Sequence, residues 1–349
     1  SIRKGSESYT KCLTEITVNS HESYKRMKKA DPAAKIDDGV SIRADSRGEF
    51  FEVVDQFEGI ADSEKRGMEI LSIKGKGQET HTEDSRSAMG RGMSDVLFRN
   101  LHTPAIVGWR RNGQTFAYMA QWIKDAKSGD PVRTFVDQTN PQKSTYNPEL
   151  IKKIESLIPN TGTYVKFWWK AEDEGDPFPT LDELKNNLGY YYELKNILSG
   201  NNFSYRIEYV DSKGNAINDK ISFVKYNVTE IASMGKKPLK IKLEPEFYNR
   251  CKCWHEQSDH SSSGCNKCTK CNGHNNDYDI SIISAKIFKS KTRLNKAGET
   301  KTQGIYFEGE HGQMYCMESL YDLDGKYIES IYFYVIVVLS ADAKNYMMN

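Results

Sequence analysis

Leu13, Ile16 and Met27 recur at helical spacing within "SYTKCLTEITVNSHESYKRMKKA", and the run stops before Asp31-Pro32. Apolar residues three and four apart share one helical face, and a residue ahead of proline avoids the helical region, which sets the end. "GEFFEVVDQ" reads as a strand, its segment Phe50–Val54 apolar and rich in β-formers. From Gly59 to Arg91 the apolar residues thin out among Gly, Lys, Ser and Thr, so this stretch reads as a loop or lid. "GMSDVLFRNL" returns to a helical pattern, and "TPAIVGWRRNGQTFAYMAQW" predicts two strands paired around "RRNGQ". "NPELIKKIESLI" is a helix behind an Asn-Pro start, and "GTYVKFWWKA" is a strand.

After the acidic, Pro-containing "EDEGDPFPT", the segment "LDELKNNLGYYYELKNIL" predicts one helix and "FSYRIEYVDSKGNAI" a hairpin turning near "DSKGN". From about residue 220 the pattern is strand-rich, interrupted by a Cys/His segment at 251–274 and closed by "YIESIYFYVIVVLS". The expectation is an α+β chain of two domains, 1–175 and 176–349, the second carrying an insertion at 250–275.

Charge changes this picture little: 49 Lys+Arg stand against 48 Asp+Glu, so nucleic-acid binding needs a local patch. The longest apolar stretch, "IYFYVIVVLSA", is too short for a membrane helix and reads as a buried strand. "SIRKGSESYTKC" is polar and predicts no secretory leader. Five of the seven cysteines fall between Cys251 and Cys271, a clustering that points to metal in a reducing compartment. A soluble cytoplasmic protein, without membrane contact, is the expectation.

Four pieces of the sequence carry candidate chemistry. Glu15 and Asn19 are four apart and share a helix face. A carboxylate so placed can deprotonate a water while the carboxamide oxygen offers a hard ligand to Mg²⁺; a solvated helix face carries the same pair. Asp55 ends a strand, four residues before Gly59, and offers an acceptor for an exocyclic amine where glycine lets backbone approach a base. Gly90, Arg91, Gly92 and Met93 in "AMGRGM" open a helix, where amides can close around phosphate, or form an ordinary turn. "GTYV" follows, with the hydroxyl of Thr163.

In this order the pieces resemble the GHKL superfamily of Bergerat-fold ATPases, nearest in style to its MORC, MutL and gyrase B types, over roughly residues 8–170. "TEITVNS" resembles the family's N box, "DQFEGI" its first glycine box, "AMGRGM" its second and "GTYV" its last. The resemblance implies an α/β sandwich followed by a transducer-like domain. It also implies Glu15 as general base, Asn19 holding Mg²⁺, and Asp55 accepting the adenine amino group with Gly59 and Thr163 beside it. Gly90, Arg91, Gly92 and Met93 would cradle the phosphates. Phe57 stands where the first glycine box usually has glycine, and Ser87 where the second usually opens with one. Lys74 and Lys76 in "SIKGKGQETH" lie in the lid, where they reach phosphates or simply keep the loop solvated.

The implied activity is Mg²⁺-dependent ATP hydrolysis, with ATP binding closing the lid and pairing two copies. Its client would be DNA or a partner protein, in a DNA transaction or defence complex. The alternatives are a nucleotide-sensing subunit with little hydrolysis and a chaperone-like remodeller. Lys344 in "VIVVLSADAK" follows a buried strand, where transducer domains carry a γ-phosphate lysine; a solvated lysine is the other reading. The insertion is outside the family pattern. Cys251, Cys253, Cys265, Cys268, Cys271 and His274 have zinc-ligand spacing and exceed the four ligands of one tetrahedral site, so which four bind Zn²⁺ stays open.

Overall fold

The computed structural model describes residues 8–72, 92–170, 175, 177–191, 194–199, 203–223, 228–234, 237–240, 281–290, 304–308, 314–318 and 333–340. Six helices are placed among them: α1 (Tyr9–Ala30), α2 (Glu64–Ser72), α3 (Gly92–Leu97), α4 (Pro148–Leu157), α5 (Leu181–Gly189) and α6 (Lys195–Leu198). The strands of the first compact unit are β1 (Gly39–Asp45), β2 (Phe50–Asp55), β3 (Ala105–Arg111), β4 (Gln114–Lys124), β5 (Pro131–Asp137), β6 (Gly162–Trp168), β7 (Ser204–Val210) and β8 (Ala216–Lys220). Those of the second are β9 (Val228–Ser233), β10 (Leu239–Lys240), β11 (Ser281–Ser290), β12 (Gly304–Glu308), β13 (Met314–Glu318) and β14 (Phe333–Leu339). The protein is α+β.

In the first unit eight strands form one mixed sheet, in the order β5-β4-β3-β6-β2-β1-β7-β8. Neighbours are antiparallel except β1 and β7, which run parallel from Gly39↔Ser204 to Asp45↔Val210. The β3–β4 hairpin turns through Asn112 and Gly113, both at positive φ (53° and 77°), as a two-residue turn matching strand twist requires. Val40, Ile42, Phe51, Val53, Val107, Val165, Phe167 and Ile207 face one way and form a single core with Leu13 and Ile16 of α1, Leu71 of α2, Leu97 of α3 and Leu184 of α5.

α1 is the centre of this layer, packed against β1, β2, α3 and α5. Its entry is capped by Ser8, whose Oγ accepts from the Lys11 amide at 3.3 Å, and Lys28 and Lys29 complement the dipole at its end. Elements on several sides bury far more than one stripe: Cys12, Leu13 and Ile16 are inside, and so are Thr10, Thr14, Thr17, Ser20, Glu22 and Ser23.

The other sheet face is covered by α4, whose Leu150 and Ile154 pack on Ala117 and Tyr164. Asn147 caps α4 by accepting from the Leu150 amide at 3.0 Å. Lys153 of α4 pairs with buried Glu52, which also accepts from the Tyr164 hydroxyl at 2.7 Å. Beyond α4 this face carries alternating charge across the strands, Lys166, Glu52, Arg43 and Glu208 lying side by side in register.

Several expectations need correction. The stretch from Gly59 to Arg91 is not all loop, because Met68 and Leu71 bring α2 onto the core. The helix expected over 181–198 is two, α5 ending at Gly189 with Tyr190 as its cap before α6 begins. β7 and β8 complete the first unit's sheet, so the described residues through Phe223 belong to that unit and the boundary expected at 175 falls inside it.

The second unit, taken by itself, is built on a six-stranded sheet in which β9, β11 and β14 form an antiparallel core, with β12 parallel to β14. The apolar run becomes β14, with Ile336, Val337 and Leu339 buried. No helix among the described residues is long and apolar enough to cross a membrane.

Gly67 seats α2 on the indole of Trp109: a Cβ there would stand 2.2 Å from Cζ2. Gly67→Ala is therefore expected to cost about 1–3 kcal/mol despite alanine's better helix propensity, read as a lower urea midpoint.

Candidate functional site

The end of β2 carries a buried carboxylate. Asp55, 5% exposed, directs Oδ2 at the Ser20 hydroxyl of α1, which donates at 2.6 Å. Oδ1 accepts from the backbone amides of Phe57 at 3.2 Å and Thr163 at 3.1 Å. One side chain thus ties α1, its own loop and β6 together. The sheet register sets Thr163 directly opposite Asp55. β6 can start this close only because Gly162 has no side chain: a Cβ there would lie 2.1 Å from the Asp55 carbonyl oxygen.

Desolvation pushes the Asp55 carboxyl up to about 6, against the pull of Ser20 and the two amides; the Glu58 charge adds to the rise. Its partners are a hydroxyl and two amides. With Ser20 on Oδ2, a carboxylate has acceptor capacity left on that oxygen for one further N–H donor.

Gly59, four residues on, adopts φ +74°, a left-handed conformation open to glycine. Between them Phe57 is fully buried, its ring 5.5 Å from Tyr24 and 5.9 Å from Phe203. The residue standing where the resemblance would place a glycine is a core residue.

Glu15 and Asn19 are half-buried on α1, one turn apart, and Glu22 continues their stripe at 6% exposure. Asn19 directly precedes Ser20, and Glu15 lies about 6 Å before Asn19 along the axis. Gly92 and Met93 begin α3, which packs against α1, and Met93 is half-buried against the core. The structure therefore brings together Asp55, Gly59 and Thr163, and packs α1, which carries Glu15 and Asn19, against both β2 and α3. Lys74, Lys76, Gly90, Arg91, Lys344, Cys251, Cys253, Cys265, Cys268, Cys271 and His274 lie outside the described residues.

Reading the sequence missed Ser20, Ser23, Arg26 and Glu58. The hydroxyls at 20 and 23 lie on the side of α1 turned to β2, where a buried hydroxyl requires a partner, and only the pairing of helix and loop reveals that partner. It also passed over His21. Its ring meets Phe203 edge-on at 4.9 Å, and burial, with Lys25 nearby, lowers its pKa to about 3.

No protein-family model matches this chain, and no curated protein matches it.

Asp55 and His21 act on stability with opposite sign. Asp55 binds its proton more tightly folded than unfolded, so its contribution is present below about pH 4 and lost as pH rises through 6. His21 does the reverse, contributing above its unfolded value of 6.5 and losing that contribution as pH falls toward 3. Comparing wild type with Asp55→Asn isolates the first: the variant's stability relative to wild type should rise by up to about 3 kcal/mol between pH 4 and 7 in urea titrations.

Proposed function

We propose that the first unit binds adenine nucleotide with Mg²⁺ and hydrolyses ATP. The observation that carries this reading is Asp55: a buried carboxylate oriented by hydroxyl and amide donors, beside a left-handed glycine and the Thr163 hydroxyl. Burying such a group is costly, and a hydrogen-bonding site for an amine-bearing base gives that cost a use. The order of elements supports the reading as well, since β2 ends at Asp55, α3 begins at Gly92 and β6 begins one residue before Thr163, all residues the GHKL resemblance assigns to nucleotide or their direct neighbours.

The donor set fits the group. Asp55 accepts from the exocyclic amine of adenine, Gly59 lets backbone lie against the base, and Thr163 adds a hydroxyl. Asn19 provides the hard oxygen that Mg²⁺ prefers, and Glu15, one turn away, is the base that orients and deprotonates water. Bound Mg²⁺ supplies charge stabilisation on the phosphates. Gly92 and Met93 offer the first amides of α3, a short helix whose role in phosphate binding depends on the glycines and lid lysines preceding it. Closure of a lid over ATP and pairing of two copies, with DNA or a protein as client, is the output this family resemblance suggests; Lys344 and a zinc-bound insertion belong to the same proposal.

Phe57 favours a second reading. The loop that bears Asp55 is rooted in the core rather than hinged on glycine, which suits a nucleotide sensor that turns over slowly.

Calorimetry with ADP and a non-hydrolysable ATP analogue, followed by single-turnover hydrolysis, separates these readings. Glu15→Ala is expected to slow hydrolysis by about 10²-fold or more, the scale of a lost general base, with nucleotide affinity unchanged within about threefold. Asn19→Ala should remove the Mg²⁺ dependence of binding. Equal hydrolysis by Glu15→Ala and wild type would sink Glu15 as base, and no uptake of either nucleotide by wild type would sink the site.

A further inference from the structure

The loop from Asp55 to Gly59 is fastened along α1 in register. Ser20 donates to Asp55. One turn later the Ser23 hydroxyl donates to Glu58 Oε2 at 3.2 Å and accepts from the Glu58 amide at 3.1 Å. One turn later again, Arg26 donates to the same Oε2 through Nε at 2.9 Å and Nη2 at 2.8 Å. The ring of Phe57, lodged against Tyr24, sits between these polar attachments. Asp55, Phe57 and Glu58 are thus held by a hydroxyl, by a ring, and by a hydroxyl with a guanidinium, in that order.

Two of these attachments are buried, and the last is not. The side chains of Arg26 and Glu58 are 46% and 27% exposed. A pair so open to water contributes little to global stability, yet it fixes the residue immediately before Gly59 and holds a cation against the carboxylate nearest Asp55 in the loop. Without Arg26 the Glu58 charge, which already raises the Asp55 carboxyl, would lose its partner, and the loop would be held on this side by Ser23 alone.

We propose that the Arg26–Glu58 pair is a positioning latch for the base end of the nucleotide site, acting on recognition of the base rather than of the phosphates. The inference rests on the adenine-nucleotide reading above. Arg26 and Glu58 are positioning residues: they act through Asp55 and Gly59.

The test uses the full chain with ADP and GDP as probes. In Arg26→Ala and Glu58→Gln the dissociation constant for ADP should rise about fivefold while that for GDP changes less than about twofold, so the preference for ADP shrinks by a similar factor. Arg26→Lys, which keeps the charge, should recover most of the preference. Amide exchange at residues 55–59 in the nucleotide-free protein should speed up in Arg26→Ala without change along α1. An unaltered ADP preference in both variants would overturn the latch, and so would an equal loss of ADP and GDP. Wild type that binds neither nucleotide would overturn the parent reading, and the latch with it; an unaltered amide exchange rate would overturn the latch alone.

Discussion

The first unit is organised around a carboxylate held almost entirely out of water. Asp55 is held by α1 through Ser20, by its own loop through the Phe57 amide and by β6 through the Thr163 amide. Three separate parts of the chain must be in place before that side chain is satisfied, and a buried acceptor left short of donors is expensive. The sheet, the helix and the loop are therefore specified together. The close approach at Gly162 and the opposed register of Asp55 and Thr163 express the same constraint in the backbone.

α1 shows how an interior can be polar without being weak. Its buried face mixes Leu13 and Ile16 with Thr17, which bonds back to the Leu13 carbonyl at 2.7 Å, and with Ser20 and Ser23, which reach the β2 loop. Small hydroxyls fit between sheet and helix and carry their hydrogen bonds inward. His21 beside them stays neutral over the physiological range because burial, and after it the charge of Lys25, disfavour its protonated form. Glu15, Asn19 and Glu22 form one polar stripe of the helix, continued at the exposed Arg26.

Local signals made much of this legible. The Asn-Pro start of α4, the Asn-Gly turn between β3 and β4 and the apolar run of β14 each have a short-range cause, and each stands where the pattern put it. What escaped was decided at long range. β1 alternates Val40, Ile42 and Ala44 with Ser41 and Arg43, a period-two signal that the surrounding polar residues obscured. α2 is short and mostly polar outside Met68 and Leu71, so only its seat on Trp109 reveals it. Asp55, Gly59 and Thr163 were readable as candidates from motif order. Ser23, Arg26 and Glu58 were not, because their meaning lies in a register between α1 and a loop more than thirty residues away.

The parallel seam between β1 and β7 joins residues 39–45 to residues 204–210, and Gly39 there meets the Ser204 carbonyl so closely that a Cβ would stand 2.2 Å from it. A ribosome releasing this chain must deliver well over a hundred further residues before β1 finds its second neighbour. Until then the backbone edge of β1 is bare, and a bare apolar edge recruits other strands. A fragment that stops between β6 and β7 keeps that hazard permanently, so a self-sufficient piece of this unit extends at least through β7.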